Sequence, residues 1–197
     1  MMKEIYVSID IEADGPIPGE NNMLSFGAAA FDLTSPTPRI PIATFSANLE
    51  LLDPRDWPRV HQNKDTMDWW SGQPEAWKAC RADLKSPKNA MPSFVGWCKA
   101  LPGKPVIVGY PVTYDFTFLY WYTMVFGKCK RSPFGFQGLD IKTLIAERLN
   151  VPYKMATKQL VKKKRRRWFD GSPKHNHEAL TDAIGQGILF VNIKNDK

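Results

Sequence analysis

Asp10 and Glu12 stand two residues apart in the stretch YVSIDIEADG, inside a run otherwise rich in Ile and Val. In an extended strand, residues i and i+2 project to the same side, so both carboxylates face one way at the end of the strand. Held side by side, they repel and raise each other's pKa unless a cation lies between them. Hard divalent cations such as Mg²⁺ take carboxylate oxygens as ligands. The pair reads either as part of a metal site at a strand end or as a surface pair on an edge strand, and the spacing alone does not separate the two.

Asp115 lies in YPVTYDFTFLYW, at the expected start of an otherwise apolar helix. An Asp there either serves a charged site or caps the helix. Further on, HNHEALTDA sets His177 five residues before Asp182. A helix beginning near His177 puts Asp182 in its second turn and the imidazole at the mouth of the same cleft. A histidine near neutral pKa is suited to take a proton from water there. The alternative is a solvent-facing His and an Asp on a helix surface. In combination, DxE on the first strand, a mid-chain Asp opening a helix and HxxxxD at the last helix are far more specific than any one of them.

These residues need elements to hold them. Glu4 to Ile11 reads as a strand buried on both faces. MLSFGAAAFDL is a second strand, and IPIATFSANLEL a third, antiparallel to the second across the short TSPTP link. Helical spacing follows in DTMDWWSGQPEAWKACRADL and NAMPSFVGWCKAL, anchored by Trp69, Trp70, Trp77 and Trp97. KPVIVGY is a strand and Asp115 to Phe126 a helix. FGFQGLDIKTLIAERLN is a short strand and then a helix, and HNHEALTDAIGQGILFVNI closes the series as an apolar-faced helix. Three strands, then helices, then alternating strand and helix make an α/β layer architecture with a mixed sheet. A chain of 197 residues suits one domain with a full core.

The formal net charge is +7. Nine Lys or Arg stand against one acid, Asp170, between Lys154 and His177, so the remainder is close to neutral. A basic face of this kind suggests an anionic partner. The three cysteines, Cys80, Cys98 and Cys129, form no CxxC pair. That argues against a disulfide framework or a zinc knuckle and fits a reducing, cytoplasmic setting. The apolar run from Val106 to Phe126 carries Gly109, Pro111 and Asp115 at its centre. It is read as a buried strand and a buried helix, because a bare carboxylate in lipid is costly; no membrane association is expected.

At this point the sequence resembles the DEDDh family of 3′–5′ exonucleases. The resemblance is carried by SIDIEADGP, MLSFGAAAFD, YDFTFLYW and HNHEALTDA, and it spans about Ile5 to Ile193. GLDIKTL resembles the family's strand with an Asp before a helix. DTMDWWSGQPEAW is similar to a segment of the small bacterial exoribonucleases. One departure is Pro111, where many members carry Asn. The resemblance implies a ribonuclease H-like fold, an α/β mixed five-stranded sheet flanked by helices, with residues 1–197 as a single exonuclease domain. It implies that Asp10, Glu12, Asp115 and Asp182 hold two divalent metal ions, Mg²⁺ or Mn²⁺, and that His177 is the general base. The five-residue spacing selects His177 over His175. The implied substrates are 3′ ends of single-stranded RNA or DNA, RNA slightly favoured, with 5′-mononucleotides as products. Several relatives are dimers, and a homodimer is compatible with exposed tryptophans.

The run KKKRRRW then acquires a role. Lys163, Arg165 and Arg166 are expected to contact phosphates, and Trp168 to stack on a base; the bland alternative is a solvated loop. Phe116, beside Asp115, is expected to reach the terminal base. Trp69 and Trp70 also qualify, although tryptophans at helical spacing are more often core. Two competing functions stay open: a nuclease fold that binds without cutting, and a hydrolase of small phosphodiesters. A glycosidase would use two carboxylates across a sugar pocket and has no need of HxxxxD.

Overall fold

The computed structural model describes residues 3–196. Five strands form one sheet in the order β3-β2-β1-β4-β5. They are β1 (Glu4–Ala13), β2 (Met23–Phe31), β3 (Ala43–Asn48), β4 (Lys104–Gly109) and β5 (Gly138–Asp140). β1 is central, antiparallel to β2 and parallel to β4. The helices are α1 (Lys64–Ser71), α2 (Pro74–Cys80), α3 (Pro87–Ala100), α4 (Val112–Phe126), α5 (Ile141–Leu149), α6 (Lys158–Lys164) and α7 (Ala179–Asn195). The mixed five-stranded sheet flanked by helices matches the sequence reading. Among the described residues no helix is long and apolar enough to cross a membrane.

Side-chain alternation along β1 sorts its residues between two cores. Ile5, Val7, Ile9 and Ile11 join Phe26, Phe94, Phe118 and Tyr122 on one side. Tyr6 packs on Phe190 of α7 on the other, ring centroids 4.9 Å apart. Ser8, Asp10 and Glu12 continue the Tyr6 series, so the paired carboxylates fall on the face that α7 covers. The same face holds Phe31, Val108, Ile145, Val191 and Ile193 in the second core.

Several sequence expectations shift at element ends. β3 is confined to Ala43–Asn48 because the Pro-rich approach, with Pro36, Pro38 and Pro41, cannot donate to a ladder. The stretch expected to be helical after Asp65 is two helices, since Pro74 starts a new one at its N1 position. α4 begins at Val112, with Pro111 as its N-cap, so Asp115 is not the capping residue. Asp115 instead lies on the buried stripe shared with Phe118, Leu119 and Tyr122, the i, i+3, i+4, i+7 pattern of a core-facing helix. Asp140 ties two helix starts together. Its Oδ2 accepts from Thr143 N at 2.7 Å and its Oδ1 from Val112 N at 3.1 Å.

α7 begins at Ala179, later than expected, which moves Asp182 into the first turn and leaves His177 in the preceding loop. That loop runs back along the helix and is bonded to it at successive levels. Trp168 Nε1 donates to Asp196 Oδ2 at 2.6 Å, and Asn192 Nδ2 donates to the carbonyls of Trp168 and Asp170 at 3.0 Å each. Ser172 Oγ donates to the Gly185 carbonyl at 3.3 Å. The Asn176 and His177 amides then donate to the Asp182 carboxylate at 3.3 and 3.0 Å.

The first turn of α7 rests directly on the sheet because Gly27 of β2 has no side chain. A Cβ there would meet the Leu180 backbone at 2.4 Å. Gly27 is the register partner of Asp10, so this contact lowers Asp182 onto the carboxylate end of β1. Gly27→Ala is expected to lower the melting temperature, since overpacking against backbone costs about 1–3 kcal/mol, and each kcal/mol is about 2–4 °C at this size. An unchanged melting temperature would contradict the close contact.

Candidate active site

Carboxylate oxygens of Asp10, Glu12 and Asp182 converge within 4.8 Å of one another. Glu12 and Asp182 are buried. Asp115 approaches from α4 on the opposite side of β1, where its Oδ1 accepts the Ile11 amide at 3.3 Å. Acids from β1, α4 and α7 are thereby gathered near the end of the central strand.

The carboxyls hold their protons more tightly than free ones do, through burial and mutual repulsion. Burial, then the charges of Asp115, Glu12 and Asp182, hold the Asp10 carboxyl well above the usual range. Burial, with Asp182 and Asp115 nearby, pushes Glu12 up to about 8. Burial pushes Asp115 up to about 7, against the Ile11 amide and Lys158, which lower it. Hard carboxylate oxygens at this density fit Mg²⁺ or Mn²⁺ as ligand type, and a divalent ion would remove the repulsion that raises these values.

Two further residues belong to the cluster and were missed in the sequence. Gln186 Nε2 donates to Asp10 Oδ1 at 2.6 Å. The signal for it was there, because Gln186 follows Asp182 by four residues and shares its helix face. Lys158 is close enough for its charge to act on Asp10, Asp115 and His177. Nothing in the spacing KMATKQL marked it.

The two histidines divide their contacts with Asp182. His177 touches it through its backbone amide, with a left-handed φ of 59°. His175 places its Nδ1 2.7 Å from Asp182 Oδ2. The His177 ring stands edge-on to Trp69, centroids 5.0 Å apart, and 4.3 Å from the His175 ring. Burial, with His175 beside it, lowers the His177 pKa, which keeps the imidazole neutral near pH 7.

The expected nucleic-acid contacts separate into different fates. Trp168 is a correction. It is 2% exposed, packed in the second core and bonded through its indole to Asp196, so it has no free face for a base. Trp70 is likewise buried, its Nε1 donating to the Ala13 carbonyl at 3.0 Å. Trp69 remains half-exposed beside His177. Phe116 is half-buried at the margin of the first core, 5.6 Å from the Tyr120 ring. Lys163 and Arg166 are exposed. Arg165 lies 3.9 Å from the Asp196 carboxylate, which also pairs with Arg167.

Residues 5–193 match the model of the 3′–5′ exoribonuclease Rv2179c-like domain. The chain belongs to this family. This exonuclease domain is also 28% identical, over 192 residues, to the 3′–5′ DNA exonuclease Cap18 of Escherichia coli, covering 95% of this chain and 90% of that protein. Among solved structures it resembles the nuclease domain of 3′hExo, a DEDDh family member bound to rAMP. The TM-score is 0.70 at 13% identity, with 98% of this chain and 93% of that one covered. It also resembles S. pombe Pop2p in its Mg²⁺- and Mn²⁺-bound form, with a TM-score of 0.66, 14% identity, and coverage of 96% and 82%. The fold of this exonuclease domain is therefore ribonuclease H-like.

The raised acids give the metal-free exonuclease domain a defined pH response. Between the ordinary Glu value of 4.5 and about 8, folded Glu12 holds a proton that the unfolded chain has released, so stability falls as pH rises through that window. Thermal melts in EDTA are expected to show this fall, and Glu12→Gln to flatten it. Mn²⁺ is expected to raise the melting temperature more at the alkaline end than at the acid end, with protons released on binding. An identical profile for Glu12→Gln would contradict the crowding.

Proposed function

We propose that the chain works as one catalytic domain that removes nucleotides from the 3′ end of single-stranded nucleic acid, with RNA ahead of DNA. Its products would be 5′-mononucleotides. The observation that carries the reading is the convergence of Asp10, Glu12 and Asp182 within 4.8 Å, with buried Asp115 beside them. The preference for RNA rests on the description of the family as an exoribonuclease domain, against which stands the DNA exonuclease named for the Escherichia coli relative.

In this reading the four carboxylates hold two divalent ions, Mg²⁺ or Mn²⁺. Bound there, such ions supply Lewis-acid activation of water and neutralise charge on the phosphoryl oxygens. Asp10 is central to the cluster, and Gln186 orients its carboxylate by holding Oδ1. Glu12 and Asp182 complete one side and Asp115 the other. His177, kept neutral by burial and by His175, takes the proton from the attacking water. Trp69 sets the plane of the His177 ring. Phe116 offers an aromatic face to the terminal base, and Lys163, Arg165 and Arg166 contribute to the basic approach.

The test is digestion of 5′-labelled single-stranded RNA and DNA of one sequence with Mg²⁺ or Mn²⁺. The expected result is a ladder shortening from the 3′ end, faster on RNA, absent in EDTA and absent for Asp10→Ala. Cleavage that persists in Asp10→Ala would sink the assignment. For the base, His177→Gln is expected to lower kcat about 10²- to 10⁴-fold, and His175→Gln considerably less. The reverse order would transfer the role to His175.

A further inference from the structure

Beside the acid cluster lies a pocket of about 400 Å³, bordered by Lys158 and Lys162 of α6, Lys174, Phe169, and Asp182 and Gln186 of α7. Its size falls within the range of small-ligand sites, about 300–1,000 Å³. The wall it shares with the cluster is specific: Asp182 is one of the converging acids, and Gln186 is bonded to Asp10. Lys158 and Lys162 lie one turn apart and project from the same face of α6.

These lysines differ from the arginines that follow them. Arg165 and Arg167 are drawn to Asp196 at the far end of α7. Among the described residues, Lys158, Lys162 and Lys174 form no ion pair. Lys158 Nζ lies 5.4 Å from the Tyr110 ring centroid and Lys162 Nζ 5.7 Å from that of Phe169. Three ammonium groups without an ion pair around a concave site suit an anion from outside the chain.

The polarity of the substrate says which anion. At a 3′ terminus ending in a hydroxyl, the last nucleoside carries no phosphate beyond the scissile one. A second phosphate site adjoining the acid cluster therefore serves the 5′ side. We propose that this pocket seats the phosphate one link upstream of the scissile bond, gripped by Lys158 and Lys162 with Lys174 at the rim. The inference rests on the exonuclease reading above and adds the residues that hold the strand behind the cut. It also moves the main phosphate contacts from Lys163, Arg165 and Arg166 to lysines that face the cleft. The grip is to backbone, so it acts on both sugars.

The test compares wild type with the Lys162→Gln/Lys174→Gln double variant, which leaves Lys158 and its charge on the acid cluster in place, on three substrates of one sugar: the dinucleotide NpN, its 5′-phosphorylated form pNpN, and the trinucleotide NpNpN. On NpNpN and pNpN the variant is expected to lose about tenfold or more in kcat/KM, the scale of one charge-assisted contact. The salt slope on NpNpN is expected to shrink by about 0.7 for the lost phosphate. On NpN, which has no upstream phosphate, kcat/KM is expected to stay within about twofold, with the melting temperature and Mn²⁺ affinity retained. An equal loss on NpN overturns the proposal and assigns the lysines to the scissile phosphate or terminal nucleotide. A loss on NpNpN but not on pNpN overturns it in favour of a contact to the third nucleoside, and no loss on any substrate overturns it outright. Wild-type protein that cuts none of the three overturns the exonuclease reading and this proposal with it.

Discussion

Like-charged carboxylates pressed together away from water are the constraint around which this molecule is arranged. Each buried charge costs several kcal/mol before compensation, and Asp10, Glu12 and Asp115 all hold their protons more tightly for it. Such a cluster persists because the apolar elements carrying it have no better place to go. β1 is sandwiched between two cores, α4 offers Asp115 from within a buried apolar stripe, and α7 lies on bare backbone at Gly27. Burial of apolar area, at roughly 25 cal/mol per Å², outweighs the repulsion and leaves it concentrated where a cation is wanted.

Much of this was legible in the sequence because it follows from period. Two-residue alternation sets Asp10 and Glu12 on one face of β1, whereas the helix that covers this face, α7, is known only from the structure. Asp115 was ambiguous between cap and ligand until the helix start at Val112 placed it inside the first turn. What the sequence hid was tertiary. Trp168, next to six basic residues, reads as a stacking platform, yet Asp196 and the second core claim it. His175 and His177 are separated by spacing alone in the sequence. In the structure both reach Asp182, one by ring and one by backbone. Gln186 was within reach of pattern analysis, but a lone amide on an apolar helix carries no chemical signature until its partner is known.

The basic segment shows how one compositional feature serves two physical ends. Arg165 and Arg167 neutralise Asp196 and brace the far end of α7. Lys158 and Lys162 border the pocket that Asp182 and Gln186 also line. A charge run therefore has to be read residue by residue against its neighbours, since its sum says only that an anion is welcome.

The hydrogen-bonded run from Trp168 to His177 along α7 has a consequence for how the site comes into being. It is a local pairing, made between residues at most 28 positions apart, and local contacts close quickly because little chain must be ordered first. The bond from Gln186 to Asp10 joins residues 176 positions apart. One half of the centre, histidine loop and helix, is thus native to a single short stretch of chain, while the other half waits on the sheet. The site as a whole is completed only when the longest-range contact in it has formed, so its assembly reports that the entire fold is closed.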